Sequence, residues 1–328
     1  MSVWGAVADE WRDRLSAAGL ADPRWLIAPD SDLTTLAGKW TPLTKLGLGG
    51  RQRWRWELPA AGGEHTPQVL YVKRYERTPL RAQFDRCWRQ TIWHSRAWWE
   101  YTQSQQLAAK YLAVPPAVAC AEQMCGPWER TSAVILAAVP GDGFDRAWQA
   151  CLHGGGLEIT RAASAGAAEA TVGPASLPAA AGTEARPTDA RRIEAAPVTR
   201  GAARFDVVER LARFVTAFHQ TGLTHRDLYL CHVFAELDPS GRQPPRFSLI
   251  DLARTHRLRW RRTRWLVKDL AQLDFSARQI GASRGDRLRF LENYLGLLRG
   301  AARVHWYARA VAAKSDAILR RQRRKGRA

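Results

Sequence analysis

Three charged side chains lie at positions where the sequence pattern indicates a chemical role for their charge. Lys73 lies within the apolar alternation of a predicted strand, VLYVKRY at 69–75, and a buried ammonium is costly without an anionic partner. Asp227 lies in the segment HRDLYLCHVF at 225–234, between an apolar helix pattern and a predicted hairpin. Asp251 follows the second hairpin strand in SLIDLAR, 24 residues after Asp227. One ammonium and two carboxylates are the groups needed to neutralise a phosphate chain, hold a divalent cation and accept a proton from a hydroxyl.

The order His-Arg-Asp, four spacers and a polar residue is that of a protein-kinase catalytic loop. In such a loop Asp227 takes the proton from the acceptor hydroxyl, and His225 and Arg226 hold the loop. The polar residue is His232 here, where protein kinases carry Asn. HRDLYLCH, together with SLIDLAR and KDLAQLDFSAR, resembles the lipopolysaccharide kinase (Kdo/WaaP) family, kinase-fold enzymes that phosphorylate inner-core sugars of bacterial lipopolysaccharide.

The resemblance implies an α+β, two-lobed, protein-kinase-like fold with a small β-rich N-lobe and a helical C-lobe. It also implies ATP and Mg²⁺ as cofactors. Lys73 would then hold the nucleotide phosphates, and Asp251 and His232 would hold the metal ion. Asp269, in the KDL element, would bond to the back of the catalytic loop as a structural support.

Two further nucleotide-binding elements are expected from weaker signals. The stretch 40–58 predicts strand, glycine turn and strand, where backbone N–H groups could approach phosphates, although an ordinary hairpin fits equally well. The glycines of that turn are Gly47, Gly49 and Gly50. Glu100 is the one acid in the helix pattern at 97–112, so we expect it to pair with Lys73. The alternative for Glu100 is a position on the helix surface, and the alternative for Lys73 is an exposed position on an edge strand.

The charge balance favours an anionic partner. The 328 residues contain 50 Lys and Arg against 31 Asp and Glu, a net charge of +19, which suits nucleic acid, an anionic membrane or a phosphorylated substrate. Basic residues crowd 254–268 and the end, RRQRRKGRA. Arginine forks bind phosphate and carboxylate, and the implied acceptor, lipid A with its core, carries both. We therefore expect that acceptor and an anionic membrane surface, not nucleic acid, as partners.

Cysteine usage and hydropathy predict the compartment. The five cysteines form no C-x-x-C pair, which indicates reduced thiols in a cytoplasmic protein without a disulfide or zinc framework. The N-terminus has no secretory pattern, and the longest apolar runs are about half of what a membrane span requires. We expect a cytoplasmic protein, peripheral at the inner face of the inner membrane.

The pattern divides the chain into an N-terminal extension, two lobes and a tail. Val3, Trp4, Val7, Trp11 and Leu15 recur at helical spacing, which predicts an amphipathic helix packed on the N-lobe, with membrane contact as the alternative. An aromatic-free stretch rich in Ala, Gly, Pro and Thr predicts a disordered insertion. The expected segments are the helical extension 1–39, the N-lobe 40–140, a hinge at 140–143, the C-lobe 141–319 with the insertion 152–204, and the basic tail 320–328.

The resemblance to the Kdo/WaaP family implies a phosphotransferase with an alcohol acceptor, an ATP-dependent kinase of a lipopolysaccharide core sugar, Kdo or heptose. A protein kinase or another small-molecule kinase of the same fold is the first alternative. A non-catalytic basic binding protein, a degenerate kinase, is the second, although it leaves the joint presence of Lys73, Asp227 and Asp251 without a reason.

Overall fold

The structure, a computed structural model, describes residues 2–43, 51–60, 67–153, 200–238, 243–258, 260–298 and 300–325. The first lobe is built on a six-stranded antiparallel sheet in the order β1-β5-β6-β4-β3-β2. Its strands are β1 (Ser2–Val7), β2 (Lys39–Pro42), β3 (Arg51–Leu58), β4 (Gln68–Glu76), β5 (Ala117–Cys125) and β6 (Trp128–Ala137).

Alternation along β4 gives the two faces of this sheet different neighbours. Leu70 and Val72 are buried on one face in a core shared with Trp56 of β3. Lys73 and Tyr75 lie on the opposite face, because successive strand residues point to opposite sides. This second face is covered by a helix and borders the second lobe.

The prediction of an N-terminal helix from helical spacing is wrong for the first residues of the chain. Ser2–Val7 is instead the edge strand β1, with Ser2 opposite Met124 and Val7 opposite Ala119 of β5. The expected helix exists only as α1 (Arg12–Ala17), where Leu15 is buried in the core that also contains Leu70. Pairing with a distant strand has overridden the local period, as β-branched valines favour.

Two helices lie between β4 and β5, namely α2 (Leu80–Arg89) and α3 (Arg96–Ala108). Ser95 caps α3 by accepting a hydrogen bond from the Trp98 N–H at 3.1 Å. Ala97 and Tyr101 of α3 pack against the sheet face that carries Tyr75. This packing brings Glu100, on the same helix, beside Lys73.

The second lobe is helical and contains two small sheets. Its helices are α4 (Phe144–His153), α5 (Arg200–Gln220), α6 (Arg262–Gln279), α7 (Arg284–Leu295) and α8 (Ala302–Lys325). Its strands are β7 (Asp142–Gly143), β8 (Leu223–Thr224), β9 (Val233–Glu236), β10 (Arg246–Leu249) and β11 (His256–Arg257). The apolar stripe predicted on α5 is buried, including Leu211, Val215 and Phe218, in a core shared with α6.

Two predicted boundaries shift. Most of the predicted insertion 152–204 lies outside the described residues, but α5 begins at Arg200, and the Arg204 guanidinium bonds Asp286 on α7. Residues 320–325 of the predicted tail continue α8. Asp142 and Gly143, predicted as hinge residues at the start of the C-lobe, pair with β9 of the second lobe.

Two expectations about thiols and membrane spans can be compared with the structure. Cys87, Cys120, Cys125 and Cys231, the cysteines whose side chains are described, are free thiols. Among the described residues we find no helix with the length and apolar character needed to cross a bilayer.

Candidate active site

Asp269 on α6 fixes the backbone of the HRD loop. Its carboxylate accepts hydrogen bonds from the His225 N–H at 2.7 Å, the Arg226 N–H at 2.8 Å and His219 Nε2 at 3.3 Å. Burial alone would raise the pKa of Asp269, but the hydrogen bonds and nearby imidazoles outweigh it and hold the pKa below its usual value. Asp269 therefore lies where the sequence placed it, behind the loop.

Arg226 holds the loop through both its backbone and its side chain. Its φ of +70° is unusual for a residue with a side chain, and its carbonyl accepts from Lys268 Nζ at 2.7 Å and Gln272 Nε2 at 2.9 Å. Its guanidinium donates two hydrogen bonds, of 2.6 and 3.0 Å, to the Asp85 carboxylate on α2. Asp85, Lys268 and Gln272 were not recognised from sequence, because nothing local marks a partner so far along the chain.

The two histidines of the motif join the loop to the strand that precedes Asp251. His225 is buried, which lowers its pKa, and its Nε2 lies 2.9 Å from the Ile250 carbonyl oxygen. His232 Nδ1 lies 2.7 Å from the Asp227 carbonyl oxygen, and its Nε2 is 4.0 Å from Asp251 Oδ2. The imidazole of His232 thus stands between the backbone of one candidate carboxylate and the side chain of the other.

Asp251 lies in a left-handed conformation just after β10, with φ of +59° and ψ of +56°. Its carboxylate is 3.0 Å from Lys73 Nζ, 3.3 Å from an Arg51 amino group and 3.8 Å from one of Arg53. Burial opposes ionisation, but these cations hold the pKa of Asp251 well below its usual range. Positive φ at two such polar positions, Arg226 and Asp251, is typical of functional loops.

Lys73 bridges the two lobes. Its ammonium is 2.6 Å from Glu100 Oε1 and 3.0 Å from Asp251 Oδ1. Burial acts to lower the pKa of Lys73, but the two carboxylates outweigh it and raise the pKa, so the side chain stays charged. Glu100 is fully buried, and the pairing of Glu100 with Lys73 expected from sequence is present.

Arg51 and Arg53 were not predicted as site residues. The alternation in this stretch separates Trp54 and Trp56 from their polar neighbours, but it does not show what those neighbours face. The register places Arg53 opposite Lys73 and Arg51 opposite Tyr75, and cross-strand partners share a face. Both arginines therefore point towards the cleft. Knowledge of the pairing of β3 with β4 would have been needed to find them.

The Asp227 side chain is held by a residue from the Asp251 segment. Asp227 Oδ2 accepts a hydrogen bond from Arg254 Nη1 at 2.5 Å. The sequence placed Arg254 in a general basic run, and SLIDLAR gives no sign of this contact. Gly47, Gly49 and Gly50, the predicted phosphate-binding glycines, lie outside the described residues.

A cavity of about 240 Å³ lies between the lobes beside these groups. One part of its wall is apolar, and the other carries Lys73, His232 and Asp251. Residues of the apolar part include Val72, Pro115, Leu136, Val139, Phe234 and Ile250. An apolar slot that ends in an ammonium and a carboxylate matches a flat heterocycle that carries phosphates.

The donor set around Asp251 bears on the expected metal ion. The described part of the chain contains no cluster of three or more His, Cys, Asp or Glu side chains suited to a metal. One carboxylate is nevertheless what Mg²⁺ uses when substrate phosphates and water complete its shell, so Asp251 fits. The His232 imidazole stands beside this carboxylate, with Nε2 4.0 Å from Asp251 Oδ2. Burial lowers the pKa of His232, but Cys231 and Asp251 outweigh burial and raise it to about 9.

Part of the chain is similar to one family of known proteins. Residues 192–294 match the model of the lipopolysaccharide kinase (Kdo/WaaP) family. The lipopolysaccharide core heptose(I) kinase WaaP of Pseudomonas aeruginosa is 45% identical over 89 residues, 27% of this chain and 33% of that protein. The enzyme of the same name from Escherichia coli K12 is 35% identical over 123 residues, 37% of this chain and 46% of that protein. The matched stretches thus span less than half the length of these relatives.

A solved structure supports the fold over nearly the whole chain. The structure of WaaP in complex with acyl carrier protein has a TM-score of 0.54 and 22% identity, and the match covers 96% of this chain and 99% of that one. At this identity the likeness concerns the fold alone. The predicted two-lobed, protein-kinase-like fold and the resemblance to the Kdo/WaaP family are confirmed.

Proposed function

Proceeding from a catalytic segment of the lipopolysaccharide kinase (Kdo/WaaP) family, we propose that this protein is an ATP-dependent kinase that phosphorylates a lipopolysaccharide core sugar. One observation carries the proposal: the Lys73 ammonium lies between Glu100 and Asp251 at the charged end of the interlobe cavity. The HRD loop with Asp227 borders the same cavity through His232. A basic binding protein without catalysis has no need for this arrangement.

Asp227 is the group proposed to accept the proton of the sugar hydroxyl. The hydroxyl oxygen bonds to the γ-phosphorus of ATP, the bond from that phosphorus to the β-phosphate oxygen breaks, and ADP leaves. Arg254, bonded to Asp227 Oδ2, leaves the other carboxylate oxygen for the proton. His225 and Arg226 keep the loop in place through the contacts described above, so catalysis is mostly positioning and charge stabilisation.

The phosphate chain of ATP is proposed to lie against Lys73. Arg51 and Arg53 are proposed to be close enough to contact the same phosphates. Asp251 would hold Mg²⁺, which supplies neutralisation of the phosphates when bound. The residues proposed for nucleotide binding also include Glu100, as the partner of Lys73, and His232. We also assign His232 a role in loop positioning, because its Nδ1 lies 2.7 Å from the Asp227 carbonyl oxygen.

The acceptor is proposed to be an inner-core sugar, heptose or Kdo, and the name of the relatives favours heptose. Arg257, Arg261, Arg262 and Arg264 are exposed in the segment after Asp251. Guanidinium groups there suit the phosphates and carboxylates of lipid A and core. The same basic segments would hold the protein at the anionic inner face of the inner membrane. A protein or small-molecule acceptor is the alternative for the same chemistry.

The test is phosphate transfer from labelled ATP to purified lipid A–core and, in parallel, to generic protein substrates. We expect labelled core lipid and a loss of at least about 100-fold in Asp227→Asn, with ATP binding retained. The matched control is Asp142→Asn, an exposed carboxylate paired with Arg146 at 2.9 Å, which should transfer normally. Equal turnover by Asp227→Asn and the parent refutes the role of Asp227, and labelled protein without labelled lipid refutes the acceptor.

A further inference from the structure

Helix α2 exposes its apolar residues and buries its polar ones. Leu80, Phe84 and Trp88 recur every four residues along one face and are 67%, 64% and 85% exposed. Gln83 and Arg86 point the other way and are buried. A helix that packs on a core buries its apolar face and exposes its polar face. Packing within this chain therefore does not explain the exposed apolar face of α2.

Buried hydrogen bonds fix this orientation. The Gln83 amide donates to the Glu129 carbonyl at 2.6 Å, and its oxygen accepts from the Glu129 N–H at 3.2 Å. The Arg86 guanidinium donates to the carbonyls of Thr91 at 2.8 Å and His94 at 2.5 Å. Turning α2 to bury its apolar face would leave these groups unpaired, which is costly. The exposed apolar face is therefore a fixed property of the molecule.

The apolar face continues onto a neighbouring turn and has a basic margin. The Trp128 ring packs edge-on against Phe84 with centroids 5.8 Å apart, and we call Leu80, Phe84, Trp88 and Trp128 the α2 surface. A groove next to it is lined by Leu80 and Trp128 together with Arg77 and Arg130. Arg77, Arg81 and Arg130 are all exposed, so cations surround the aromatic rings.

We propose that the α2 surface docks into the interface of an anionic lipid bilayer. Tryptophan and phenylalanine on one face of a helix, with arginines at its margin, are the composition of helices that lie in the plane of that interface. Anionic headgroups complement the arginines, and the net charge of +19 adds long-range attraction. The proposal places a specific apolar surface in the membrane, whereas the basic segments discussed above act by charge alone.

The same helix is bonded to the candidate active site. Asp85 of α2 accepts two hydrogen bonds from Arg226 of the HRD loop. Gln90, just after α2, donates to the Ala253 carbonyl at 2.8 Å and the Thr255 carbonyl at 3.0 Å. Docking of α2 would thus set the position of the catalytic loop relative to the lipid surface. This last step rests on the proposed function, since a lipid-linked acceptor is reached at that surface.

The test is co-sedimentation of the whole protein with vesicles of phosphatidylglycerol and phosphatidylethanolamine, and with phosphatidylcholine alone. We expect the parent to bind the anionic vesicles and the double variant Phe84→Ser, Trp88→Ser to bind roughly tenfold or more weakly, because interfacial affinity scales with buried apolar area. The control is Tyr111→Asn, at a fully exposed aromatic residue outside the α2 surface, which should bind as the parent does. Circular dichroism and thermal unfolding identify a variant that fails to fold, and the single variant Trp88→Ser then replaces the double one.

Several outcomes overturn the proposal. They are parent protein that stays in solution with anionic vesicles, a double variant that binds as the parent does, and loss in the control to the same extent. A change from dimer to monomer in the double variant, with vesicle binding unchanged, would assign the surface to a second copy of the chain. Lost binding to purified acyl carrier protein, the partner present with the solved relative, would assign it to a protein. Vesicle binding needs no ATP, so bound vesicles without sugar phosphorylation refute only the proposed function.

Discussion

Replacement of Asp269 by alanine should destabilise the protein more than any surface carboxylate replacement. Asp269 is fully buried and accepts hydrogen bonds from the N–H groups of His225 and Arg226 and from His219. Each buried donor left without a partner costs about 1–3 kcal/mol. Three such donors give about 3–9 kcal/mol, a large share of the 5–15 kcal/mol that is usual for a folded domain. Asn keeps one acceptor oxygen, so Asp269→Asn should lose roughly half as much.

The matched control is Asp316→Asn on α8. Asp316 accepts from Arg278 at 2.6 Å, but its side chain is half-exposed, and such surface pairs contribute about 0–1 kcal/mol. Asp269→Asn and Asp316→Asn therefore make the same chemical change in a buried and in an open setting. The contrast separates the loss of specific partners from the loss of one negative charge in a chain that is already basic.

The measurement is thermal unfolding followed by calorimetry and circular dichroism, with ATP binding and phosphate transfer at a temperature where each variant is folded. We expect Asp269→Ala to unfold roughly 10 °C below the parent and the control to unfold within about 2 °C of it. Transfer should also fall in Asp269→Asn, because Arg226 at φ of +70° needs this support. An Asp269→Ala midpoint equal to that of the control would show that the loop is held by other contacts and refute the reasoning.

Two further predictions concern buried groups near the cleft. Glu100→Gln removes the carboxylate 2.6 Å from the Lys73 ammonium, and we expect kcat/KM for ATP to fall about 10–100-fold, as loss of a buried charge partner implies; an unchanged kcat/KM would contradict the role of the pair. Burial is the largest effect that lowers the pKa of His256 to about 4, and nearby arginines add to it. As the pH falls, His256 is therefore protonated in the unfolded chain before it is protonated in the folded protein. Stability linked to His256 is present above about pH 6.5 and is lost towards pH 4. His256→Gln should flatten the Tm profile in that window, whereas His305→Gln, at an exposed histidine, should follow the parent.

The sequence could predict the groups whose position depends on short segments. Lys73 interrupts an apolar alternation, and Glu100 is the one acid of its helix, so their contact followed from the cost of an unpaired buried charge. The buried stripe of α5 followed from its helical period. Asp251 and its approach to Lys73 followed from a motif whose spacing reflects one loop and one hairpin.

Features that depend on distant pairing could not be predicted. Val3 and Val7 fit a helical period, yet an open sheet edge at β5 made them part of a strand. The contact of Asp85 with Arg226 joins residues 141 positions apart. The orientation of α2 reverses the usual rule, because Arg86 finds carbonyl partners only in the folded chain. Periodicity identifies the two faces of such a helix but not which one is buried.

The charge around the cleft explains why a basic composition suits this site. Asp251 faces Lys73, Arg51 and Arg53 at 3.0 to 3.8 Å, with the His232 imidazole at 4.0 Å. Glu100 offsets one of these cations, but the group still carries more positive than negative charge in a partly buried setting. Such an excess is unfavourable when empty and is relieved by a polyanion. The excess of cations thus comes from side chains of strands β3 and β4. A triphosphate would neutralise this excess, whereas a neutral ligand would not.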